Sequence, residues 1–194
     1  MIYRLIANSR NYLTVTFDIE EVIEKFGEDD LMPFDQTPRE FRHGWKVVNV
    51  DFVDDGEGAK VKQRPDLDFN SGHVYLAGNA AKALAPLLEK FGELLEVVNQ
   101  GERAYIFNPL KIVSADQALS AKNPVSGDVT HLSFSEDSEE HFIFRTDYDG
   151  YHGVFVNDKF KKIVEEQGLT GMHFETDLSN IFERTNDTNL PTSH

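Results

Sequence analysis

The stretch that most constrains the fold is Gly153 to Thr176, GVFVNDKFKKIVEEQGLTGMHFET. Its hydrophobic period switches from 2 to 3.6 and back within 24 residues. Val154, Phe155 and Val156 form a β-prone run. Asn157 or Asp158 can cap a helix, because a short side-chain oxygen accepts from an otherwise unpaired backbone N–H. Phe160, Ile163 and Val164 share one helical face. Gly168 stands where a left-handed helix stop is needed. Met172, Phe174 and Thr176 then alternate with His173 and Glu175 as a half-buried strand. The spacing predicts strand, helix, strand.

Similar signals recur along the chain. Met1–Ala7 and Tyr12–Phe17 read as strands. Asp18 with Glu21 resembles a capping box for a short helix, with Ile19, Val22, Ile23 and Phe26 on one face and Gly27 as its stop. Residues 28–44 lack period and read as a loop. Trp45–Val53, the proline-led Pro65–Phe69 and His73–Ala77 are extended. The aspartate- and glycine-rich 54–58 is a turn, from which Ala59–Val61 could return as a hairpin arm. A second helix follows, with Ala80, Leu84, Leu87, Leu88 and Phe91 inward, Pro86 inside it and Gly92 as its stop. Leu94–Val98 and Arg103–Phe107 form a hairpin that Asn108-Pro109 breaks. Leu110–Val113 reads as a strand and Ser114–Lys122 as weakly helical. Thr130–Phe134 and His141–Thr146 are strands around the acidic turn Ser135–Glu140.

The pentapeptide EKFGE occurs at 24–28 and again at 89–93. Each copy reads as a helix's last apolar residue and a glycine stop. Residues 74–98 and 154–175 share a strand-helix-strand order, which composition alone reads as chance. The expected fold class is α+β, a mainly antiparallel or mixed sheet with about three short helices packed on it. One domain over 1–184 is expected, with two lobes meeting near 108–125 if it divides. A flexible polar tail is expected over 185–194.

The chain has 194 residues, enough to bury a sizeable core without staples. There is no cysteine, which removes disulfides, thiolate metal sites and a cysteine nucleophile. The start has no apolar stretch of signal-peptide type, and no run approaches the roughly 20 apolar residues of a membrane helix. A cytoplasmic protein without a membrane partner is the expectation. The net charge is −15, divided nearly evenly between 1–110 and 111–194. Such a field repels nucleic acid. It serves solubility, or it steers a basic partner onto the surface.

Catalytic signals are weak. Asp147-Tyr148-Asp149-Gly150 begins like a calcium loop, but Tyr151 falls at position 5, where an oxygen ligand belongs, Val154 at 8, and Asp158 at 12 instead of Glu, so it reads as an ordinary turn. His131, His141, His152 and His173 form no H-x-x-x-H pair and read as surface or satisfied histidines. With 34 acids some carboxylate pair is inevitable, so a hydrolase using carboxylates or a weakly held divalent ion stays open. No catalytic residue, metal or cofactor is assigned. Two acidic clusters are candidate partner-binding surface: Asp51, Asp54, Asp55 and Glu57, and Glu136, Asp137, Glu139 and Glu140. Each reads either as a solvated loop or as a patch that docks arginines and lysines.

Several segments carry a resemblance. They are the first strand with Tyr3; Arg64-Pro65-Asp66-Leu67-Asp68-Phe69; Leu84-x-x-Leu87-Leu88-x-x-Phe91-Gly92-Glu93-Leu94-Leu95; Tyr105-x-Phe107-Asn108; and Phe155-Val156-x-x-x-Phe160-Lys161-x-Ile163 with Gly168-Leu169-Thr170-Gly171-Met172-His173-Phe174. In this order they resemble immunity protein eleven of bacterial polymorphic toxin systems, a family first described as a domain of unknown function. The resemblance covers roughly residues 1–176. It implies a non-enzymatic cytoplasmic protein that binds and neutralises a cognate secreted toxin domain. It carries over no inhibitory residue. A basic toxin, such as a nuclease, would suit the acidic surface.

Overall fold

Twelve strands and three α-helices make the expected α+β fold over residues 1–28, 32–54, 58, 61–70 and 72–181, which a computed structural model describes. In chain order they are β1 (Ile2–Ala7), β2 (Thr14–Phe17), α1 (Ile19–Phe26), β3 (Val48–Val53), β4 (Leu67–Asn70), β5 (His73–Leu76), α2 (Gly78–Leu88), β6 (Gly92–Asn99), β7 (Glu102–Pro109), β8 (Ala121–Lys122), β9 (Val129–His131), β10 (Ile143–Phe144), β11 (Phe155–Asn157), α3 (Asp158–Glu166) and β12 (Met172–Glu175). Short 3-10 turns lie at Met32–Phe34 and Glu136–Glu140.

The Gly153–Thr176 stretch folds as its periods require. Asn157 is the cap that forms: its Oδ1 accepts from Phe160 N–H at 3.2 Å. Phe160 and Val164 are buried, and Gly168 takes φ +62° after the last turn. β11 and β12 do not pair with each other. Both run antiparallel to β1, which lies between them in a four-stranded sheet ordered β10-β11-β1-β12.

The earlier strand-helix-strand repeats this arrangement. β5 and β6 both run antiparallel to β7, which separates them. Two strand spacings come to about 10 Å, close to a helix diameter, so the helix can lie over the inserted strand. The likeness between 74–98 and 154–175 is therefore shared topology: two strand-helix-strand units, each split by an antiparallel strand from elsewhere in the chain. The second sheet has six strands, ordered β2-β3-β6-β7-β5-β4, with β3 and β6 parallel.

One core joins the two sheets. Tyr3, Leu5 and Val156 of the first sheet meet Leu67, Val74, Leu76 and Phe107 of the second, with Leu84 and Leu88 of α2 and Phe160 and Val164 of α3. Each fully buried side chain of this size contributes roughly 1.5 to 3 kcal/mol by leaving water. The other face of the six-stranded sheet buries Val15, Val50, Leu95, Val97 and Ile106 beneath Val22 of α1. A third, smaller cluster places Ile2, Phe144 and Phe155 against Ala115 and Leu132. β1 is thus covered on both faces.

Several local expectations are corrected. Ile19 and Ile23 are exposed, because a two-turn helix on the β2–β3 edge reaches the core only through Val22 and partly through Phe26. Asn108-Pro109 does not break β7, which pairs as far as Gly92↔Pro109. Leu110–Val113 contributes only an isolated bridge, Ile112↔Arg145. Ser114–Lys122 holds a turn and then β8 instead of a helix. Residues 59–60 of the expected hairpin arm and the whole 185–194 tail lie outside the described residues.

The second EKFGE is also corrected. Gly27 does end α1, donating its N–H to Ile23 O at 2.8 Å. Gly92 does not end α2, which finishes at Leu88. Gly92 opens β6, where a Cβ would collide with Asn108 O and come within 2.8 Å of the Phe107 ring. The same pentapeptide thus meets a free helix end once and a crowded strand start once.

Candidate functional site

The acidic turn at 136–140 is a 3-10 helix, in which residues three apart eclipse. Glu136 stacks over Glu139 and Asp137 over Glu140, while Ser138, 2% exposed, points inward. The turn is anchored by the core. Asn157 Nδ2, one residue before α3, donates to Glu139 O at 2.8 Å. Glu139 and Asp158 each hold the Met1 ammonium at 2.6 Å. Asp158 also accepts from Tyr3 OH at 2.9 Å. Hydrogen bonds from the ammonium and from Tyr3 hold the Asp158 carboxyl below its usual range. Glu136, Asp137 and Glu140 are exposed, and among the described residues no cation pairs with them.

The first acidic cluster is elsewhere. Asp51 is exposed on β3, opposite Thr16 of β2, in the other sheet. Asp54 is already engaged: it pairs at 2.8 Å with Lys62, whose side chain is 1% exposed. It offsets the charge of a buried lysine. Asp55 and Glu57 lie outside the described residues. Asp51 belongs to the six-stranded sheet and the 136–140 turn to neither sheet, and no described contact joins the two.

The best-built polar feature was not anticipated. Arg4 lies in the middle of the apolar β1, and Asp149 in the turn read as ordinary. Both side chains are 6% exposed, with Arg4 Nη2 3.4 Å from Asp149 Oδ2. Gly153 N–H donates to the same oxygen at 2.9 Å. Arg4 Nη1 donates to Leu178 O at 3.0 Å, and its guanidinium lies 5.4 Å from the Phe155 ring centre. Asp149 Oδ1 has no hydrogen-bond partner among the described residues. Burial raises the Asp149 carboxyl, against the pull of Arg4. The turn is strained as well: Tyr151, a non-glycine residue, takes φ +66°. A cavity of about 690 Å³ opens beside the pair, lined also by Lys122, Asp128, Tyr148 and His152. The one available signal was a charge inside an apolar alternating strand, since a buried charge requires a partner.

The histidines divide. His131 and His173 are exposed, His141 is half-buried, and His152 Nδ1 lies 3.0 Å from Asp149 O. His73, which composition did not single out, is 3% exposed with neither ring nitrogen paired. Among the described residues no three of His, Asp and Glu converge as a metal-binding group. Among the same residues no helix is long and apolar enough to cross a membrane.

A second buried arginine has a structural role. Arg145 is fully buried and donates to Gln36 O at 2.9 Å, Asn108 Oδ1 at 3.0 Å and Pro109 O. Asn108 Nδ2 donates onward to Glu93 Oε1 at 3.1 Å. The path runs from the residue directly after β10 to β7 and on to β6, so it ties the two sheets together.

No model of a known protein family matches this chain, and no curated protein matches it. Fold and site together define an α+β protein with an anchored acidic turn and, beside it, a buried arginine–aspartate pair facing a cavity.

Proposed function

We propose that the chain is a toxin-neutralising binding protein that docks a basic protein partner on the Glu136–Glu140 turn. The observation that carries this reading is the state of Glu136, Asp137 and Glu140. They are exposed, unpaired with any cation among the described residues, and mounted on a turn fixed by Ser138 and Asn157. Carboxylates held in place lose little entropy on meeting arginine or lysine, and a net charge of −15 speeds the approach of a cation. The resemblance to immunity protein eleven supplies the partner class, a cognate toxin domain. Such a complex would form without cofactor or nucleic acid, and in the cytoplasm. Co-expression with the product of the adjacent gene tests the reading: a basic toxin domain should co-purify and lose its activity.

The competing reading, a carboxylate hydrolase, would draw on Asp128 and Asp149, which line one cavity. Asp149 is already committed to Arg4 and Gly153 through one oxygen, which favours a binding role over proton transfer.

A further inference from the structure

The acidic turn and the Arg4–Asp149 cavity lie along the same face of β1. A small cavity of about 250 Å³ is lined by Ile2, Glu136, Glu139 and Leu178. The larger one, about 690 Å³, is lined by Arg4, Asp128, Tyr148 and Asp149. Ile2 and Arg4 are two residues apart on one strand face, roughly 7 Å. Leu178 bridges them: it lines the small cavity and its carbonyl oxygen accepts from Arg4 Nη1. Hydrogen-bonding capacity in the larger cavity is unevenly used. Arg4 Nη1 and Nη2 are directed at Leu178 O and Asp149, and Lys122 Nζ is stacked 4.7 Å from the Tyr148 ring centre. Two of the cavity's acceptors are without a partner among the described residues, the first of them buried. Asp149 Oδ1 has no partner, and the exposed Asp128 carboxylate pairs with no cation among the described residues.

We infer that this cavity is a binding site for a single cationic side chain, a guanidinium or primary ammonium group. Asp149 Oδ1 accepts its N–H donor from the cavity floor and Asp128 meets it at the rim. A buried acceptor left unmade costs the fold its desolvation, so an arriving donor recovers energy already spent. The volume is within the range of small-ligand sites and larger than one side chain needs, which leaves room for its alkyl stem along Val129 and Tyr148. The inference extends the docking surface proposed above and rests on that reading for the partner's identity, but the chemistry of the site stands on the chain alone.

The experiment therefore uses the chain alone, with agmatine as probe, followed by backbone amide NMR. Saturable shifts at Gly150, Gly153, Ser179 and Asn180 are expected. Asp149→Asn should weaken agmatine binding roughly tenfold, the worth of one charge-assisted hydrogen bond. Asp128→Asn should weaken it by a smaller factor, and Glu165→Gln with Glu166→Gln, exposed on α3, should leave it unchanged. If Asp149→Asn does not fold, Asp128→Asn decides the matter by itself. Shifts confined to 136–140, no saturable shift, or perturbation of the same amides by inorganic phosphate in place of agmatine would each overturn the inference. Failure here leaves toxin co-purification to be judged separately, and absence of a toxin partner leaves agmatine binding to be judged separately.

Discussion

Arg145 Nη2 donates to Asn108 Oδ1 at 3.0 Å, and through that amide a fully buried cation is linked to the buried carboxylate of Glu93. No carboxylate within salt-bridge distance faces Arg145 directly among the described residues; carbonyl oxygens and one amide accept from Nη1 and Nη2, and buried Nε has no partner among these residues. Burial pushes its guanidinium down to about 10, against the pull of the Asp35 charge. Glu93 in turn accepts from the Phe41 and Arg42 N–H groups, which fixes the loop before β3. Asn108→Ala should therefore remove partners from two buried charges at once and cost about 3 kcal/mol. Arg145→Lys should not be tolerated as conservative, because one ammonium cannot reproduce the planar fork. Urea unfolding of the two variants measures both effects.

Asp68 and His73 should give opposite pH dependences. Burial pushes the Asp68 carboxyl up to about 7, even though Val15 N–H donates to it at 2.7 Å. Burial, reinforced by Arg145, pushes His73 down to about 4. Between about pH 4.5 and 6, the unfolded chain has ionised Asp68 while the folded chain keeps its proton, so this group lowers stability as pH rises. Over the same range the unfolded chain protonates His73 and the folded chain does not, so that group raises stability as pH rises. Each slope is about 1.4 kcal/mol per pH unit, and they cancel. Asp68→Asn should expose the His73 slope, with stability climbing from pH 4.5 to 6. His73→Gln should expose the Asp68 slope, with stability falling. Parallel slopes in the two variants would contradict the assignment.

The two copies of EKFGE should respond unequally to alanine. At Gly27 a Cβ meets nothing within 4 Å, and only the backbone at φ +92° is strained. Gly27→Ala should cost about 1 kcal/mol, since an open helix end can relax. At Gly92 the obstacle is the Asn108 carbonyl oxygen in the neighbouring strand, which is held by the ladder of β6 and β7. Gly92→Ala should cost roughly 3 kcal/mol. Thermal unfolding of the two variants compares them directly, and equal losses would remove the distinction.

How legible the fold was depends on whether local signals decide it. In Gly153–Thr176 the β-prone run, the cap, the helical face and the glycine stop agree, so the unit forms where they place it. α1 was legible as a helix but not in its exposure: Ile19 and Ile23 face solvent, since among the described residues no element lies above them. The identical glycines of EKFGE diverge because the neighbour of Gly92 is Asn108, brought there by strand pairing. The Arg4–Asp149 pair was hidden for the same reason: its members lie at opposite ends of the chain, and strand alternation gives faces, not neighbours. The acidic turn was readable as a turn. The anchoring that makes it a surface comes from Asn157, 18 residues from Glu139.

The acidic turn is the centre of the account, and co-purification with the adjacent gene product tests it most directly. The native chain should hold a basic toxin domain in a complex that weakens as salt is raised. The variant with Glu136→Lys, Asp137→Lys and Glu140→Lys should keep its unfolding temperature, because these side chains are exposed and unpaired among the described residues. It should lose association by roughly tenfold or more. If the native chain retains no such partner, or if the triple variant retains it as well as the native chain does, the turn is not the docking surface.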